Sequence, residues 1–155
     1  MHLEKLRLVN FKNYEEASLE FPAKVNCLLG LNGSGKTNLL DAIHYLSFTK
    51  SFLNASDTHN IRHACDSFLL WGGFDFDGKK HELSCQIQTG HKKVFREDGQ
   101  DYEKMSDHIG KYPVVLISPS DIDLIKEGSE ARRKFFDSMI AQIDHTYLQV
   151  LMEYH

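Results

Sequence analysis

The sequence predicts an α/β fold in which a short apolar strand runs into a glycine-rich turn and out into a helix, beside a region of antiparallel strands. Three observations predict it. "VNCLLG", residues 25–30, is mostly apolar and bounded by Pro22 and Gly30, which suits a strand buried on both faces. "GKTNLLDAIHYLSF" follows at once and places Leu39, Ala42, Ile43 and Leu46 at helical spacing. Between residues 67 and 99, alternation recurs around Phe74, Phe76, Leu83, Cys85 and Ile87, with Asp77-Gly78 and Asp98-Gly99 as hairpin turn signals.

Each element can be justified in turn. "LEKLRLVNF" sets Leu6, Leu8 and Phe11 on one side and Lys5, Arg7 and Asn10 on the other, a period of two that predicts a half-buried strand. "EASLEFP" repeats the pattern through Ala17, Leu19 and Phe21, and Pro22 ends it. The helix after the glycines spans roughly 20 Å at about 1.5 Å per residue. "YPVVLISP" reads as another buried strand, closed by Pro119. From Glu130 onward Phe135, Phe136, Met139, Ile140, Ile143, Tyr147, Leu148 and Leu151 mark one long amphipathic helix. It reaches His155 with no Gly, Pro or cap, so a helix cut short is the expectation. No internal repeat, linker or low-complexity segment interrupts the chain.

Bulk properties narrow the function classes. A chain of 155 residues fits one domain with a real core. At 41% hydrophobic and 26% charged it has ordinary soluble composition. The formal charge of −4 gives no global basic character, so any DNA contact must rest on local clusters. No apolar run approaches the roughly 20 residues of a membrane-spanning helix, and the charged start is no signal peptide. Cys27, Cys65 and Cys85 share no CxxC spacing; reduced thiols in a cytoplasmic protein are expected.

The chemistry lies in the glycine turn. Gly30, Gly35, Lys36 and Thr37 satisfy G-x-x-x-x-G-K-[ST], with a strand expected before and a helix after. Glycines at 30, 33 and 35 let the backbone turn sharply and aim successive N–H groups at one point. The helix N-terminus adds a field that favours negative charge. Leu31, Asn32, Gly33 and Ser34 complete the loop, Asn32 and Ser34 contributing backbone N–H groups more than side chains. Lys36 is expected to reach the β- and γ-phosphates of a nucleotide, and the Thr37 hydroxyl to ligate Mg²⁺.

Hydrolysis needs more: a carboxylate closing an apolar strand and a group to orient water. "VVLIS" ends in Ser118 where an acid is expected, and "LLWGGFD" is interrupted by two glycines. A guanine-specific site is excluded as well, because "DFDG" has no N-K-x-D after it. No catalytic residue is therefore assigned within the chain.

These residues carry a family likeness. "LRLVNFKNYEEASLEF" followed by "GLNGSGKTNLLDAIHYLSFTKSF" resembles the N-terminal head segment of the RecF family, bacterial recombination-mediator ATPases related to the SMC group. "LISPSDIDLIKEGSEARRKFFDSMI", residues 116–140, resembles that family's signature of a Pro-acid segment, an apolar pair, then Arg-Arg and an aromatic before Asp. The two blocks cover nearly half the chain. They depart from the pattern where the usual glycine and proline fall on Glu127 and Ser129, and where a glutamine common near Pro119 is missing.

The resemblance implies a P-loop NTPase fold of the ABC/SMC-like head type with a mixed sheet and an antiparallel strand region, in which residues 1–130 form an N-terminal head lobe and 131–155 begin a helical arm. It implies ATP and Mg²⁺ as cofactors, an ATP-dependent homodimer, and a signature motif and acidic strand end in a segment C-terminal to this one. It also implies single-stranded or gapped DNA, RecO and RecR as partners, RecA indirectly, and a part in repair and the SOS response. In related heads the loop holding Lys12 and Asn13 comes near the phosphates, so both are nucleotide-site candidates, against the plainer reading of a solvated turn.

Two basic runs are candidates for DNA phosphate: Arg132-Arg133 with Lys134, and "HKKVFR" with Lys92 and Lys93. The plainer readings are ion pairing to Glu127, Glu130 or Asp137 for the first and a hairpin tip for the second. His59, His63 and Cys65 lack the partners of a zinc site, and Trp71 among Phe68, Phe74 and Phe76 reads as core before it reads as a base-stacking surface. Two other classes stay open: a free-standing P-loop phosphotransferase, and a nucleotide-gated head of the SMC or transporter kind. An S-G-G-Q-like stretch and an apolar strand ending in Asp, encoded beyond residue 155, would single out the RecF-like reading.

Overall fold

The computed structural model describes residues 1–122 and 128–154. They fall into two compact units, Met1–Glu103 and a second beginning at Lys104. The first unit is a six-stranded antiparallel sheet in the order β2-β1-β3-β4-β5-β6. Its strands are β1 (His2–Phe11), β2 (Tyr14–Glu20), β3 (Ser67–Phe76), β4 (Lys79–Gln88), β5 (Val94–Glu97) and β6 (Gln100–Asp101). Helix α1 (Lys36–Phe48) packs on one face of the sheet, against β3 and β4.

The alternation read from the sequence sets which face is covered. Leu6, Leu8 and Phe11 of β1, Phe68, Leu70 and Phe74 of β3, and Leu83, Cys85 and Ile87 of β4 are all buried. Trp71 points to the opposite face, where it is half-buried, and so stands apart from Phe68 and Phe74. Both Asp-Gly pairs form two-residue hairpins with positive φ at each position, the geometry whose twist matches that of the flanking strands.

Against this face α1 buries Leu39, Ala42, Tyr45 and Leu46. Phe11, Tyr45 and Phe68 meet edge to face, with ring centroids 5.2–6.4 Å apart, each such pair adding about 0.5–1.5 kcal/mol beyond its buried area. Gly72 explains how the helix comes so close: a Cβ there would stand 2.7 Å from Leu46 Cδ1. The first of the two glycines that interrupt "LLWGGFD" thus leaves room for the helix, whereas a Cβ on Gly73 would meet Trp71 on the other face. Burial pushes the Cys85 thiol up to about 12, so it stays protonated at neutral pH as a small core residue.

Two expected strands are not formed. Residues 25–30 and 113–118 carry no ladder, and several of their apolar side chains are exposed: Val25 is 90% exposed, Leu29 86% and Ile117 82%. A strand buried on both faces exists only between neighbours that complete its hydrogen bonds, and among the described residues neither segment has one. The sheet is accordingly antiparallel throughout rather than mixed.

The long C-terminal helix is two helices, α2 (Ser129–Ile143) and α3 (His145–Tyr154). Asp144 makes the break: its Oδ1 accepts from the Thr146 and Tyr147 N–H groups at 2.8 and 3.1 Å, capping α3. Within this second unit the Gln142 side chain brackets Val114, accepting from its N–H at 3.1 Å. Glu127, one of the expected ion-pair partners, lies outside the described residues. No described helix is long and apolar enough to cross a membrane.

Candidate functional site

The glycine loop runs directly into α1, the helix the motif expects after it, while the strand expected before it is not formed. Gly35 precedes the helix in the left-handed region, φ 101°, which an L side chain rarely adopts. No side chain caps this N-terminus and no acidic residue stands in its first turn, so its leading N–H groups face a depression of about 270 Å³ lined by Asn32, Gly33, Gly35, Lys36, Thr37 and Asn38. Lys36 folds over the loop and donates to the carbonyls of Gly30 and Leu31 at 2.8 and 2.7 Å. Thr37 stands exposed in the first turn. The donor set fits a polyphosphate: one ammonium, a helix N-terminus, and no competing carboxylate on the lining residues.

Lys12 is committed elsewhere. Its ammonium lies 2.5 Å from Asp41 on the second turn of α1, with the two side chains 8% and 1% exposed. Asp41 accepts two further bonds at 2.6 Å, from the Ser51 hydroxyl and the Phe52 N–H. This buried knot ties the β1–β2 turn, α1 and the segment after α1 together. Asp41 was missed because helical spacing puts it beside the apolar stripe, where an acid reads as surface.

Asn13 and Tyr14, next along the same turn, reach the loop itself. Asn13 Nδ2 lies 3.4 Å from the Ser34 carbonyl, and its Oδ1 accepts from Asn38 at 2.7 Å. The Tyr14 hydroxyl donates to the Gly35 carbonyl at 3.2 Å; burial pushes its pKa up, keeping it a donor. Neither Tyr14 nor Asn38 was picked out from the sequence.

The far end of α1 is held by Lys93. Its ammonium donates to the Thr49 carbonyl at 2.6 Å and pairs with Asp57 at 2.8 Å. A cation at a helix C-terminus is favourable, and here it also lies 5.2 Å from the centre of the Tyr45 ring, whose hydroxyl donates to the same Asp57. Lys93, expected beside Lys92 as a DNA contact, is thus turned inward, while Lys92 is exposed. Arg132, Arg133 and Lys134 are exposed on α2; Lys134 pairs with Glu130 at 2.7 Å, and Arg133 reaches Ser129 at 3.5 Å.

Comparison with known proteins places this geometry. Residues 2–104 match the family model described as the RecF/RecN/SMC N terminal domain. A DNA replication and repair protein RecF of Flavobacterium johnsoniae is 48% identical over 154 residues, covering 99% of this chain and 43% of that protein. The protein of the same name from Phocaeicola vulgatus is 46% identical over 156 residues, covering 100% of this chain and 42% of its own length. The chain thus spans about two-fifths of the curated relatives it matches.

A solved structure described as the recombination mediator protein RecF-ATP in the RecFOR pathway superposes with a TM-score of 0.90 at 32% identity, over 99% of this chain and 42% of that one. An SMC ATPase structure at 20% identity, over 90% of this chain and 99% of the other, has a TM-score of 0.70 and shares the fold. With its glycine loop, its sheet and these likenesses, the chain is a head segment of P-loop NTPase fold that belongs to the RecF/RecN/SMC N-terminal domain family and within it resembles RecF.

Proposed function

We propose that the chain is the ATP-binding N-terminal lobe of a RecF-like DNA replication and repair protein. One observation carries the reading: an uncapped helix N-terminus, a left-handed glycine and the Lys36 ammonium converge on one open depression. Gly30 to Thr37 hold the phosphates. The Thr37 hydroxyl would hold a Mg²⁺ ion, which would supply positive charge to offset that of the phosphates.

The lobe spans residues 1–130, with 131–155 as the root of a helical arm. The full-length protein dimerises on ATP, binds single-stranded or gapped DNA through exposed cations such as Lys92, Arg132 and Arg133, and acts in the cytoplasm with RecO and RecR to load RecA during the SOS response. The extended segments 25–30 and 113–118 take their strand partners, and the site takes its acidic group, from the remaining three-fifths of such a protein. The apolar exposure of Val25, Leu29 and Ile117 supports that reading.

The test is turnover. The isolated 155-residue chain is expected to release no phosphate from ATP above background, while the full-length protein does so slowly and faster with DNA. Phosphate release by the isolated chain that disappears in Lys36→Ala would reveal an acid on these residues and defeat the divided-site account.

A further inference from the structure

We propose that Asn13 and Tyr14 are positioning residues that aim the amides of the phosphate loop, gripping it from behind rather than touching the nucleotide. The inference rests on the ATP-binding reading above and deepens it. In a trans peptide the C=O of one residue and the N–H of the next point in opposite directions across the same rigid plane. Anchoring a carbonyl therefore fixes where the following N–H points.

The β1–β2 turn anchors two successive carbonyls. Asn13 Nδ2 holds Ser34 C=O at 3.4 Å, which directs the N–H of Gly35 away from the turn. The Tyr14 hydroxyl holds Gly35 C=O at 3.2 Å, which directs the N–H of Lys36 the same way. The Gly35 carbonyl also accepts the Leu39 N–H at 2.9 Å, so one oxygen starts the helix and receives the strut. Asn13 is itself braced, its Oδ1 taking the Asn38 amide at 2.7 Å.

The fit is close enough that a side chain at Gly35 would have to displace the strut. A Cβ on Gly35 would stand 2.6 Å from Asn13 Nδ2, 2.8 Å from its Oδ1 and 3.0 Å from the Tyr14 hydroxyl. Lys12 completes the clamp from the adjacent position by holding Asp41 one turn further along α1. Three consecutive residues of one turn thus fix the loop exit and the first two turns of α1. Amides aimed before the ligand arrives avoid the reorganisation that would otherwise reduce affinity.

The test uses Tyr14→Phe, which removes one hydroxyl and keeps the ring, and Asn13→Ala, both in the full-length protein. Tyr14→Phe is expected to weaken Mg-ATP and inorganic tripolyphosphate by the same 3- to 10-fold, on the scale of one lost hydrogen bond, because the base plays no part. In the nucleotide-free protein, amide exchange across residues 30–38 should quicken while β3 and β4 exchange as in wild type. Asn13→Ala should show the same pattern. Wild-type protein that binds both ligands, beside variants with unchanged affinity and unchanged loop exchange, overturns the positioning role alone. Wild-type protein that binds neither ligand overturns the ATP-binding reading, and this inference with it.

Discussion

Lys36→Ala in the full-length protein is expected to abolish measurable Mg-ATP binding. Lys36 supplies the one ammonium on the lining of the depression, and in the structure it already bridges two loop carbonyls, those of Gly30 and Leu31. A phosphate competes for the same donors with a full negative charge. Hydrogen bonds to charged partners are worth about 1.5–3 kcal/mol each, so losing two weakens binding at least about 100-fold. The fold should survive, since the bonds lost are at the surface. Calorimetric titration against wild type reads the affinity, and a thermal melt checks the fold. An unchanged dissociation constant in a folded variant would refute the site.

Asp41→Ala carries the largest expected cost in stability. The carboxylate is 1% exposed and accepts from Lys12, Ser51 and the Phe52 backbone. Its removal strands a buried ammonium and two further donors, which costs about 3–5 kcal/mol. For a chain whose whole stability is of order 5–15 kcal/mol, that is a large fraction.

Chemical denaturation reads this cost as a fall in midpoint. A second variant separates pairing from simple loss of packing. Asp41→Leu combined with Lys12→Met leaves no stranded charge, so it should be more stable than either single variant. If the double variant instead loses the sum of the two single losses, the Lys12–Asp41 pair does not hold the turn to α1.

What was legible in the sequence was local. The period of two in β1, β3 and β4, the Asp-Gly turns, and the glycine motif running into a helix all depend on residues within a few positions of one another. The structure keeps each of them, down to positive φ at Asp77, Gly78, Asp98 and Gly99.

The readings that changed depend on distant partners. Lys12 read as a second cation for the phosphates or as a solvated turn lysine, because its partner Asp41 lies 29 positions away. Lys93 read as a DNA-phosphate contact or a hairpin-tip cation, because Thr49 lies 44 positions away. "VNCLLG" and "YPVVLISP" have strand composition, but composition cannot supply the neighbouring strand that a ladder needs. The break at Asp144 carried a usable signal, an acid able to cap the N–H groups two and three residues on. It was masked by apolar residues that keep helical spacing across the junction.

Of the site itself, the loop from Gly30 to Thr37 was readable as a motif. Asn13 was a candidate for the phosphates themselves, but its bracing of the loop with Tyr14 and Asn38 was not readable, because the bonds of Asn13 and Tyr14 run to backbone carbonyls 21 positions away. Any residue type has such a carbonyl, so pattern reading has nothing to match.

The central claim is that main-chain amides at the start of α1 grip a triphosphate. The most direct test is a structure of the full-length protein with Mg²⁺ and a non-hydrolysable ATP analogue. The account predicts β- and γ-phosphate oxygens within about 3 Å of the backbone nitrogens of residues 33–37, with Lys36 Nζ moved from the Gly30 and Leu31 carbonyls onto those oxygens. An analogue bound elsewhere, with Lys36 still on its own loop, would contradict it.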